Sequence, residues 1–176
     1  MLGETLISWT IRICLVFYAV TLGGDLVLGK RPRWQARARW LWLTACVLFV
    51  AHVICAFHFY HHWSHAHAVE DTAKQTEALI GWAFGDGIYF SYLFTVLWVV
   101  DALWRAFWTE SYLNRRRGLS IGVHAFMFFI AFKGAVIFEG GVTRWLGIPV
   151  TLLLGGLLVA RLRSPSSTDN DSAKPA

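Results

Sequence analysis

Five long, mainly apolar stretches, at about 5–28, 40–65, 80–107, 119–138 and 145–162, leave this chain little choice of fold. A helix of roughly 20 apolar residues crosses the ~30 Å hydrocarbon core of a bilayer, where a helix satisfies every backbone polar group within its own segment. The expected fold is an all-α integral membrane protein with five transmembrane helices in a single bundle. The first stretch does not read as a cleaved signal peptide: no basic residue precedes it, Arg12 interrupts it, and no small-residue cleavage site follows. Residues 1–163 are expected to form this one domain, because no connection is long enough to bury a core of its own. Residues 164–176, rich in Ser, Pro, Asp and Asn, read as a disordered cytoplasmic tail.

Charge supplies an orientation. Of sixteen Lys and Arg, twelve fall on one side of such a bundle: Lys30, Arg31, Arg33, Arg37 and Arg39; Arg105, Arg115, Arg116 and Arg117; and Arg161, Arg163 and Lys174. Lys74 and Arg144 stand on the other side. The positive-inside rule then predicts an outside N-terminus and a cytoplasmic C-terminus. Tryptophans agree, with Trp9, Trp63, Trp82 and Trp145 at outer helix ends and Trp34, Trp40, Trp42, Trp104 and Trp108 at inner ends. Basic residues sorted by loop make no nucleic-acid patch, so the net charge of +5 does not point to nucleic acid. The expected partners are the lipid bilayer and a second copy or other membrane subunits. The short loops and charge asymmetry suit a multi-pass protein of a bacterial inner membrane.

Charges inside the stretches predict a layer. At 1.5 Å per residue, Arg12 and Asp86 lie about 9 Å from the outer ends and Lys133 about 21 Å from the inner end, which is one level in the core. An unpaired charge there costs about 2.5–3.5 kcal/mol, so Asp86 is expected to pair with Lys133 or Arg12. Near the inner ends, Asp101 and Arg105 stand at i,i+4 as a surface pair, with Asp25 and His124 close to the same layer. Gly81 and Gly85 read as a small-xxx-small packing face. Residues 66–77, rich in helix formers, read as a helical extension lying at the surface.

Chemistry concentrates at His58, His61, His62, His65 and His67. A helix continuing through His65 would set the first four within an arc of about 100°, with His67 opposite. Neutral imidazoles in that spacing are ligands for a transition metal: zinc, copper or iron. Asp86 and Glu139, or Glu70 or Asp71 folding back, would complete the shell, and Cys55 lies on the same arc. Arg12 and Lys133 would place an anionic or redox-active partner nearby. A haem between His52 and His124 is the lesser option, since their depths differ by about 10 Å.

The residues His58-Phe59-Tyr60-His61-His62 fit H-x-x-H-H and resemble one of the histidine boxes of the integral-membrane fatty-acid desaturases and hydroxylases. That resemblance implies a di-iron centre assembled from several separated boxes on the cytoplasmic side. It covers five residues; the sequence has no second box, and its charges put this one outside.

The expected function is thus a polytopic membrane protein with a histidine-rich metal site at its outer face, and a membrane oxidoreductase as the enzymatic reading. The alternative is a non-catalytic membrane subunit or small transporter, whose buried charges serve assembly or ion and proton passage. A proton-sensing histidine cluster is a third reading.

Overall fold

The computed structural model describes residues 2–133, 148, 152 and 154–157. Its elements are α1 (Leu2–Leu28), α2 (Pro32–Phe59), α3 (His65–Ile80), α4 (Gly87–Phe107), α5 (Thr109–Leu113) and α6 (Arg117–Phe132). Gly3–Leu28, Pro32–Phe59 and Gly87–Phe107 are long and apolar enough to cross a membrane. α6 is apolar over 16 residues and shorter. The expected fifth helix falls almost wholly outside the described residues, as do Glu139 and the C-terminal tail; residues 148, 152 and 154–157 are helical.

α1 and α2 form a tight hairpin. Pro32 sits in the first turn of α2, where its fixed φ favours the helix and its missing N–H costs nothing, so α2 starts well before residue 40. Along the hairpin, the small residues Cys14 and Ala45 are fully buried, and the Cys14 thiol reaches the Ala45 carbonyl at 3.3 Å. α4 packs on α2, and α3, α5 and α6 pack on α4. Chain direction therefore gathers two ends. The C-terminal ends of α1 and α4 meet the N-terminal ends of α2 and α6, which we call the inner end. The opposite, outer end brings the start of α1 and α4 beside the end of α2 and α3.

Between the ends lies an aromatic core. Tyr18, Trp42 and Trp98 stand with ring centroids 5.4–5.5 Å apart, and Phe49 stacks on Trp98 at 5.1 Å. Outward faces carry Val16, Val20, Val47, Val96 and Val100, each at least half exposed. In water these stripes would be a continuous aggregation surface, whereas acyl chains solvate them without cost.

Two expectations fail at the outer end. α2 stops at Phe59 instead of running to His65, and α4 starts at Gly87 rather than near residue 80. Gly81, at φ +73°, is the left-handed cap that ends α3. Gly85 is a close approach, since a Cβ there would stand 2.9 Å from the Val69 carbonyl oxygen of α3. The two glycines thus do not share a helix face. Asp86 consequently sits exposed in the turn before α4 and makes no ion pair among the described residues, with Arg12, Lys133 or any other group. Arg12 lies over the Trp9 ring and Lys133 over the Phe129 ring.

Candidate metal centre and the polar network opposite it

The turn between α2 and α3 decides which histidines meet. No glycine or proline marks it, yet His62 (φ 46°) and Trp63 (φ 61°) are both left-handed. Such backbone costs about 1–3 kcal/mol per non-glycine residue, so the surroundings must hold it. The Trp63 amide donates to the Phe57 carbonyl at 2.9 Å and the Ser64 amide to His61 at 2.8 Å. Ser64 then caps α3, its hydroxyl accepting from the His67 amide at 3.2 Å.

This reversal carries His61 back over the first turn of α3. Its Nδ1 lies 3.3 Å from Asp71 Oδ2, and His67 Nδ1 lies 3.7 Å from the same oxygen. The three ligand atoms are mutually within 4.8 Å, the one such group of His, Cys, Asp or Glu among the described residues. Tetrahedral zinc with bonds of about 2.0–2.1 Å needs ligand atoms roughly 3.3 Å apart, so a small rotation of the rings would close the site. His61 Nδ1 is shielded from solvent and has no hydrogen bond of good geometry, although Asp71 stands beside it. Burial lowers the His61 pKa below the ordinary histidine value, against the opposing pull of Asp71. The neutral imidazole that a metal requires is the favoured form.

The other histidines are dispersed. His58 is exposed and accepts from the Trp63 indole at 3.3 Å. His62 points to solvent. His65 binds Tyr92 and Tyr89 of α4 through its two ring nitrogens, at 2.9 and 3.4 Å. His58, His61, His62 and His65 thus form no single arc, and Asp86 and Cys55 are not gathered with His61. His67, expected on the far side, is the one that joins it. A signal for this stands in the sequence: His67 and Asp71 are i,i+4 on the helix-forming segment after Ser64.

Beside the triad, a cleft of about 660 Å³ opens among α1, α2, α3 and α4, lined by Cys14, His52, Tyr60, Gln75, Leu79 and Trp98. Asp71, Gln75 and Leu79 fall on one stripe of α3, so the triad and the cleft share that face of the helix. The Trp98 indole N–H is buried and has no hydrogen-bond partner among the described residues.

The inner end is built differently. Arg105, 1% exposed, grips Asp25 with two nitrogens at 2.7 and 2.8 Å and gives a third bond to Gln35 at 2.9 Å. Trp34 also donates to Asp25, at 2.8 Å. Asp101 pairs with Arg115 at 2.5 Å and accepts from Trp42 and Tyr112 at 2.9 and 3.1 Å. The expected Asp101–Arg105 surface pair is therefore replaced by two pairs with other partners, Asp101–Arg115 buried on both sides and Arg105–Asp25 with its carboxylate half-buried. His124 belongs here, stacked on Trp42 and 3.3 Å from Arg115, while His52 lines the outer cleft.

Comparison with protein-family models, with curated proteins and with solved structures finds no match to this chain.

Proposed function

We propose that this chain is a multi-pass membrane protein that binds a zinc, iron or copper ion at its outer end through His61, His67 and Asp71. The observation that carries the reading is the convergence of three ligand atoms within 4.8 Å across a strained turn. A histidine–carboxylate shell suits zinc or iron over soft-ligand copper. Three protein ligands leave a coordination position open, the pattern of catalytic rather than structural sites. With an apolar cleft on the same face of α3, the reading extends to a membrane enzyme acting on an apolar or quinone-like substrate, and to an oxidoreductase where the metal is redox-active.

The same reading has five spans, an outside N-terminus and a cytoplasmic C-terminus in a bacterial inner membrane; the charge sorting and tryptophan placement support it. Reporter fusions in the α2–α3 turn and after residue 163 test the orientation, with opposite sidedness expected. Metal binding is tested by elemental analysis of detergent-purified protein after zinc loading. About one ion per chain is expected, lost in a His61→Ala, His67→Ala, Asp71→Asn variant.

The non-catalytic subunit or small transporter draws on a separate observation, the mutual neutralisation of Arg105 with Asp25 and Arg115 with Asp101. Buried pairs of that kind fix helix register. That reading predicts no stoichiometric metal in well-folded protein.

A further inference from the structure

The inner end holds a second cleft, of about 680 Å³, between α1, α4 and α6. Its chemistry is graded. Deep walls are apolar, formed by Leu22, Leu26, Phe128 and Leu154. At the mouth stand Lys30 and Arg117, both exposed. Arg105 and Arg115 also line the cleft, but Asp25 and Asp101 neutralise them. Lys30 and Arg117 have no carboxylate partner among the described residues, so the mouth keeps two uncompensated positive charges.

A second feature adds to them. α6 begins at Arg117 with Arg116 as its N-cap, the Arg116 side chain does not cap its first amides, and its first turn holds no acid. The positive end of a 16-residue helix therefore opens at the same mouth. Inorganic anions would use the mouth but not the apolar walls. Neutral lipids would use the walls but leave the charges unmatched.

We propose that this cleft binds an acidic phospholipid, with the phosphate at Lys30, Arg117 and the α6 amino end and an acyl chain along Leu22, Leu26, Phe128 and Leu154. Basic pockets between spans select acidic head groups, and two uncompensated cations correspond to a preference on the order of tenfold or more. The site rests on the chain spanning a membrane and not on the metal, so lipid and metal contents report independently.

Native mass spectrometry of the full chain, titrated with phosphatidylglycerol or phosphatidylcholine of matched acyl length, tests it. Wild type is expected to retain phosphatidylglycerol about tenfold better, and a Lys30→Gln, Arg117→Gln variant to hold the two lipids equally. A charge-matched Arg33→Gln, Arg37→Gln variant, altered at exposed residues of α2 outside the cleft lining, should keep the preference. Equal retention by wild type overturns the proposal, as does an equal loss in the charge-matched variant. Displacement of the lipid by inorganic phosphate at comparable concentration would also overturn it, because the apolar walls would then contribute nothing.

Discussion

The two ends of the bundle treat polar residues in opposite ways. At the inner end, Asp25 and Arg105, eighty positions apart, meet in a bidentate pair around a buried guanidinium, and each oxygen of Asp101 has at least one donor. At the outer end the polar groups come from one short segment, 58–71. His61, His67 and Asp71 keep 18%, 44% and 28% of their side-chain surface exposed, on either side of a turn with two left-handed residues. A network of distant partners, in which the carboxylates of Asp25 and Asp101 are already engaged by arginines, fixes helix positions. A local, strained and half-open cluster contributes little to stability and leaves its imidazoles and carboxylate within reach of solvent.

Stability measurements in detergent can break this contrast. The largest effect is expected from Arg105→Ala, which removes a fully buried guanidinium and takes the two-pronged partner from half-buried Asp25, and should cost about 3 kcal/mol. Arg105→Lys should recover only part, because an ammonium cannot reproduce the two-pronged contact. A loss below about 1 kcal/mol would erase the distinction between the ends. Asp101→Asn comes next, at roughly 2 kcal/mol: the amide oxygen still accepts from Trp42 or Tyr112, but Arg115 loses its counter-charge.

Smaller effects sharpen the outer side. His62→Gly removes a left-handed penalty and should raise stability by up to about 1 kcal/mol, as read from the thermal midpoint; a decrease would mean that the imidazole itself holds the turn. Lys74→Ala removes an exposed i,i+4 contact with Glu70 and should leave the thermal midpoint unchanged within error.

How far the sequence could be read follows the same division. Apolar length marked the three long helices, since a membrane-spanning stretch is a property of consecutive residues. The helix formers of 66–77 likewise form part of α3. What the sequence hid was the reversal at His62 and Trp63, because neither residue is a turn former and the backbone bonds holding it are made only once the helix has ended. That one turn brought His67 beside His61 and Asp71 and separated His58, His62 and His65. At the inner end, i,i+4 spacing suggested Asp101 for Arg105, yet Asp25 won by presenting both oxygens from the neighbouring helix, a contact no local pattern encodes.

Cobalt(II) substitution tests the central claim most directly, because a protein-bound tetrahedral ion of this kind absorbs in the visible range and free aqueous ion barely does. Purified protein should develop the band at about one cobalt per chain. The His61→Ala, His67→Ala, Asp71→Asn variant should lose it, and a His58→Ala, His62→Ala, His65→Ala variant should keep it. No band in well-folded wild type, or a band lost only in the second variant, would contradict a metal centre built on His61, His67 and Asp71.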